Sequence, residues 1–221
     1  MVIYFIRHGD PNYEDDCLTE KGVKQAELLA ERVKNLKLDE VYFSPQGRAT
    51  QTGRTCMKYF DIKPVTKEWM KELEWGDLSG NAYSTESPWA LTDEFLKTRR
   101  SYPSGESWKD DPEIKNDRII GDVKRREKCF EEFMAEHGLI REGQGYVVTK
   151  EAKNKTISIF CHGGLSSALI AHLLNIPFWQ YAAHFHIEMT GIMKIYIDES
   201  VDYSIAKAIF LNSYEHLGSL V

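Results

Sequence analysis

The chain has 221 residues, with 28 Lys and Arg against 34 Asp and Glu, a formal net charge of −6 and 42% hydrophobic residues. That length is enough for one large α/β domain with a sizeable core, and the acidic balance argues against nucleic acid or an anionic membrane as partner, since those contacts rest on basic patches. No apolar run approaches the ~20 residues that cross a bilayer, no basic leader precedes the first apolar run, and Cys17, Cys56, Cys129 and Cys161 lack metal-ligand or disulfide-scaffold spacing, so a soluble, cytoplasmic protein with free thiols is expected.

The apolar run Val2–Ile6 predicts a strand that ends in Arg7-His8-Gly9. An imidazole beside a fixed cation at the carboxyl end of a strand is placed to meet an anionic ligand. A helix over 20–36 follows, capped by Thr19, with Val23, Ala26, Leu29, Val33 and Leu36 as its apolar stripe. After a strand at 40–43, Ser44 is the expected N-cap and Pro45 the first residue of a helix over 45–60. Arg48 then falls in the first helical turn, where a cation is disfavoured by roughly 0.3–1 kcal/mol unless an anion sits there with it.

A short strand is expected near 64–66, and the stretch from Trp69 to Gly80 offers Glu72, Glu74 and Asp77 as carboxylates for general acid work. Residues 81–145 are charge-rich, with helix signals at Ser87-Pro88 and Asp111-Pro112, and read as an inserted helical cap within a single domain spanning 1–221. Gly145–Thr149 and the strand over 156–161 are expected to form a hairpin at the sheet edge. The second of these ends in His162-Gly163-Gly164 and leads into an apolar helix, whose unpartnered first N–H groups would seat a phosphate. Two further strands, at 191–197 and 205–211, complete the pattern. His184 and His186 share a strand-like spacing but no third or fourth ligand accompanies them, so no metal is expected. Gly143-Gln144-Gly145 leads into a strand and is no dinucleotide fingerprint, so no cofactor is expected either.

Several of these stretches, in order along the chain, resemble the histidine phosphatase superfamily, which includes cofactor-dependent phosphoglycerate mutases and many phosphatases. They are Arg7-His8-Gly9, Leu18-Thr19-Glu20-Lys21-Gly22 with Gln25-Ala26, Ser44-Pro45 with Arg48-Ala49 and Gln51-Thr52, Glu72 to Gly80, and Cys161-His162-Gly163-Gly164. The resemblance implies a three-layer α/β sandwich, with a mostly parallel central sheet, helices on both faces and the cap over the strand ends. It implies His8 as a nucleophile that becomes phosphohistidine, with Arg7, Arg48, His162 and Gly163 holding the transferred phosphoryl group. Glu72 lies four residues before Gly76, where similar proteins carry their acid, although Met70 replaces the usual Leu; on geometry alone Glu74 and Asp77 stay open. Cap residues Trp89, Arg99, Arg100, Tyr102 and Trp108 become candidates for selectivity.

The activity this implies is phosphomonoester hydrolysis of a small phosphorylated metabolite. Pro103-Ser104-Gly105-Glu106-Ser107 resembles a loop of family phosphatases. Arg99-Arg100-Ser101 resembles the stretch with which the mutases grip a carboxylate, so phosphoryl transfer as in a phosphoglycerate mutase is the alternative. Against it, Glu14 stands where those mutases carry Asn, and a carboxylate there would repel a bisphosphorylated intermediate. A non-catalytic phospho-ligand-binding module is the third reading.

Overall fold

The computed structural model describes residues 1–76 and 87–220. Asp77 and the side chain of Trp89 lie outside the described residues. The chain begins with β1 (Val2–Arg7), the short antiparallel pair β2 (Pro11–Asn12) and β3 (Cys17–Leu18), and α1 (Glu20–Val33). Next come β4 (Glu40–Phe43), α2 (Gly47–Met57), β5 (Val65–Thr66), α3 (Pro88–Arg99) and α4 (Ile119–Glu136). The hairpin β6 (Leu139–Glu142) and β7 (Gly145–Val148) precedes β8 (Thr156–Cys161), α5 (Gly163–Leu174) and α6 (Phe178–His184), after which β9 (Ile192–Tyr196), β10 (Tyr203–Ser204) and β11 (Lys207–Ser213) close the fold.

A six-stranded sheet in the order β11-β9-β1-β8-β4-β5 forms the centre. β1, β8, β4 and β5 run parallel, and β9 is antiparallel to both of its neighbours. The mostly parallel sheet with helices on both faces matches the expectation. Alternation along β1 shows why both faces are covered: Tyr4 and Ile6 pack with Leu29, Ala30 and Val33 of α1, whereas Ile3 and Phe5 pack with Phe130 of α4 and Leu169 of α5. A period of two with apolar residues at every position has no solvent face, which is the signature of a strand buried between two helical layers.

Local signals explain most boundaries. Thr19 caps α1 as expected, its Oγ1 accepting from Gly22 N–H at 3.0 Å, but the helix stops at Val33 rather than 36, and the following Leu36 N–H bonds the Val33 carbonyl in a tight turn. α2 starts at Gly47, two residues later than Ser44-Pro45 predicts. The Ser44 hydroxyl still accepts from Gln46 N–H at 3.2 Å, as a capping Ser does, and it also meets His162 at 2.7 Å. The expected hairpin at the sheet edge is replaced by β6-β7, to which β10 adds, as a separate three-stranded sheet. Within the stretch anticipated as a cap, α4 belongs to the core layer, since Phe130, Phe133 and Met134 are fully buried against the sheet. α3 and the turn at Glu106–Asp110 instead meet α6, through Phe95 on Trp179 and Trp108 on Phe178 and Trp179.

Candidate active site

The site forms where β1 and β8 end side by side. Their parallel register runs from Val2 opposite Thr156 to Arg7 opposite Cys161, so the next residues, His8 and His162, leave the sheet together with ring centroids 5.2 Å apart. Both rings are buried, at 3% and 0% exposure. His8 N–H donates to the Cys161 carbonyl at 3.0 Å, and the His8 carbonyl accepts from Thr190 N–H at 3.1 Å. The His8 Nδ1 lies 2.7 Å from the Gly9 carbonyl. A carbonyl can only accept, so the ring hydrogen is on Nδ1 and the lone pair on Nε2. Arg48 Nε donates to that lone pair at 3.3 Å. Burial, reinforced by the Arg7 and Arg48 charges, lowers the His8 pKa to about 3, which keeps the imidazole neutral at neutral pH.

Arg48 sits in the first turn of α2, 5% exposed. Its Nη1 donates to Asp16 Oδ1 at 2.5 Å, and Asp16 Oδ2 accepts from Gly47 N–H at 2.6 Å. The anion anticipated beside Arg48 and the helix terminus is therefore an internal carboxylate. Nothing local in the sequence links residue 16 to residue 48. Tyr13, on the same loop, places its ring 5.3 Å from the Arg48 guanidinium.

Arg7, the last residue of β1, donates Nη1 to the Ile187 carbonyl, and its Nε is buried with no hydrogen-bond partner among the described residues. Gly163 packs closely here: a Cβ at that position would stand 3.3 Å from Arg7 Nε, and that side chain would have to give by a few tenths of an ångström. His162 is the N-cap residue of α5 by its extended backbone. Its Nε2 lies 2.7 Å from Ser44 Oγ, which also accepts from Gln46 N–H at 3.2 Å, while its Nδ1 is buried and unpartnered among the described residues. Burial first, and then the neighbouring His8, Arg48 and Arg7, hold its pKa well below the ordinary value.

Glu72 reaches the start of α5. Its Oε1 accepts from Leu165 N–H at 2.8 Å and from Leu73 N–H at 2.9 Å, and its Oε2 accepts from Gly164 N–H at 3.1 Å. The helix N–H groups expected to seat a phosphate are thus engaged by this carboxylate, which the positive end of the helix dipole attracts for the same reason. The Glu72 backbone is held as well, its N–H donating to Gln46 Oε1 at 2.7 Å and its carbonyl accepting from Arg126 Nη2 at 3.3 Å. Arg126, buried on α4 with Asp122, was not foreseen, since only the three-dimensional fold brings α4 beneath this loop.

A cavity of about 990 Å³ opens over these groups, with Arg7, His8, Arg48, Glu72 and Gly163 in its wall and His162 fully buried beside His8. Lys71, Glu74, Trp75, Phe185, His186 and Ile187 also line it. Glu74 is exposed, and its N–H is held by Asp122 at 2.8 Å. The cap candidates are elsewhere among the described residues. Arg99 pairs with Asp111 at 3.0 Å and Glu113 at 3.6 Å, Arg100 is exposed, Tyr102 Oη meets His184 Nε2 at 2.6 Å, and Trp108 is buried against Phe178 and Trp179. None of the four lines the cavity. Glu14 is exposed and outside the cavity wall too. His186 meets Glu188 at 3.2 Å. No helix among the described residues is long and apolar enough to cross a membrane.

The model of the histidine phosphatase superfamily (branch 1) matches residues 3–136. A Hydrogenobacter thermophilus protein named as a phosphoserine phosphatase is 23% identical over 212 residues, 89% of each chain. A Yersinia pestis protein named as a phosphoglycerate mutase, GpmB, is 30% identical over 97 residues, 40% of this chain and 45% of that one. Among solved structures, a phosphoserine phosphatase variant from Entamoeba histolytica in complex with phosphoserine superposes with a TM-score of 0.67 at 20% identity, covering 98% of both chains.

Proposed function

The chain belongs to the histidine phosphatase superfamily, and from that premise we propose that it hydrolyses a small phosphomonoester through a phosphohistidine on His8. The observation that carries this reading is the state of His8: neutral, with its Nδ1 hydrogen committed to the Gly9 carbonyl and its Nε2 lone pair held beside Arg48 in the cavity wall. Attack of Nε2 on phosphorus forms the N–P bond and expels the substrate oxygen, and water then cleaves that bond, returning the neutral imidazole and inorganic phosphate.

Phosphoryl transfer needs charge stabilisation on the equatorial oxygens more than it needs covalent help. Arg48 and the unpartnered Arg7 Nε supply fixed donors. Nδ1 of His162, buried without a partner, is a further hydrogen-bonding position that an oxygen seated against His8 would satisfy. Glu72 is the proton donor to the leaving oxygen in this scheme, delivered to the cavity by the N–H groups of Gly164 and Leu165.

Hydrolysis is favoured over the mutase alternative by charge placement. A mutase must hold a second anionic group of its substrate, yet Arg99 is committed to Asp111 and Glu113. Beyond Arg7 and Arg48, the Lys or Arg of the described wall is Lys71, which pairs with Glu68 at 2.9 Å. The undescribed stretch 77–86 contains no Lys or Arg. A single phosphoryl group on an uncharged or aromatic remainder, flanked by Trp75 and Phe185, suits this wall best. The test is turnover of an aryl phosphate against 3-phosphoglycerate with catalytic 2,3-bisphosphoglycerate. Hydrolysis of the aryl ester with little isomerisation is expected; formation of 2-phosphoglycerate faster than hydrolysis supports the mutase, and phosphate binding without any turnover supports the binding module.

A further inference from the structure

Building on the phosphatase reading, we propose that Asp16 is a built-in competitor of the phosphoryl group: it holds Arg48 and the start of α2 in the free protein and releases them when phosphate enters. The carboxylate is used at both oxygens, Oδ1 on Arg48 Nη1 at 2.5 Å and Oδ2 on Gly47 N–H at 2.6 Å. These are the kinds of donor, a guanidinium and a helix-terminal amide, that a phosphoryl oxygen uses. The same guanidinium reaches His8 Nε2 through its Nε at 3.3 Å, so an anion seated for attack by His8 comes within reach of the group that Asp16 holds.

The pair is asymmetric. The Arg48 side chain is 7% exposed and that of Asp16 is 42% exposed, so only the carboxylate can swing into water. Its backbone is poised for release as well. Asp16 has φ 47°, in the left-handed region, a conformation that persists in a non-glycine residue where surrounding contacts hold it. The loop rests directly on α2: a Cβ at Gly47 would stand 2.0 Å from the Asp16 carbonyl.

Two consequences follow from electrostatics. A phosphate dianion next to Asp16 meets a like charge, so ground-state phosphate binding is weakened and product leaves faster. Removing the carboxylate leaves a buried cation without its partner, which destabilises the free protein and raises its demand for an external anion.

The experiment compares wild type with Asp16→Asn by calorimetric titration of inorganic phosphate and by thermal melting with and without it. The expected result is phosphate affinity about five-fold or more tighter in the variant, a lower melting temperature without phosphate and a larger rise on adding it. Asp16→Ser, which keeps an acceptor for Gly47 N–H, must act in the same direction. Equal or weaker phosphate binding in these variants overturns the proposal and makes Asp16 a positioning residue for Arg48. In an Arg48→Ala background the Asp16→Asn effect must shrink to the part that like-charge repulsion supplies; an undiminished effect also overturns the proposal. The readout is binding, so absence of aryl phosphatase activity in the wild type would count against the function proposed above and leave this comparison interpretable.

Discussion

At the scale of single residues, the candidate chemistry depends on protonation and on who holds whom. His8 and His162 are similar rings with different duties because their partners differ: one gives its Nδ1 hydrogen to a carbonyl and keeps Nε2 beside a guanidinium, the other meets a serine hydroxyl. Glu72 is bound through both oxygens to backbone N–H groups, Oε1 by two and Oε2 by one, so Oε2 is the oxygen with room for the proton that a departing oxygen needs. Glu72→Gln should therefore lower kcat by about 10²–10⁴ on an alkyl phosphate, whose leaving group needs a proton, and much less on p-nitrophenyl phosphate, whose leaving group does not. Equal losses on the two substrates, measured by steady-state kinetics, would assign Glu72 to holding the loop instead. The residues legible beforehand were those that end a strand or open a helix, Arg7, His8, Arg48 and His162. Asp16 and Arg126 were not, because a carboxylate in a loop and an arginine in a polar helical run carry no local sign of the partner they meet across the fold.

At the scale of elements, the strand ends were legible because a continuous apolar run that stops at a polar residue announces where a buried strand meets solvent. Helix starts were less so. Ser44-Pro45 has the composition of an N-terminus, and its hydroxyl takes the Gln46 N–H while also meeting His162, yet α2 begins at Gly47. Arg99, Arg100, Tyr102 and Trp108 are residue types that line pockets, but charge pairing, a hydrogen bond to His184 and aromatic packing engage three of them. Trp108, 6% exposed between Phe178 and Trp179, ties the Glu106–Asp110 turn to α6. Trp108→Ala should lower unfolding free energy by about 3–5 kcal/mol in urea titration, with KM for an aryl phosphate changed less than two-fold while the protein stays folded. A large KM effect with little loss of stability would return Trp108 to the substrate pocket.

At the scale of the whole molecule, a net charge of −6 surrounds a small cationic site, so phosphate recognition is local and the field of the rest is screened beyond ~8–10 Å at physiological salt. The same site shapes stability against pH. His8 is held near 3 and His162 well below its ordinary value, both chiefly by burial, and burial also lowers His216 to about 4. Below about pH 6.5 the unfolded chain takes up protons that these folded rings refuse, so stability is full above that pH and falls as pH drops toward 3. His8→Asn removes one such ring. It should lose less stability than wild type between pH 7 and pH 4, by on the order of 2 kcal/mol, in urea titrations at the two pH values. Parallel losses in the two proteins would mean that His8 is not kept neutral by the fold. The mostly parallel sheet and its helical layers were legible from alternation and element order; the separate β6-β7-β10 sheet was not, because β10 joins the β6-β7 hairpin from far along the chain.

The covalent step on His8 is tested most directly by mixing the protein with a ³²P-labelled aryl phosphate, quenching within one turnover in alkali and mapping the retained label. The account predicts alkali-stable, acid-labile phosphate on the peptide that carries His8, formed and lost at rates that match turnover and absent from His8→Ala. Turnover without label on that peptide, or label that persists in His8→Ala, would contradict it.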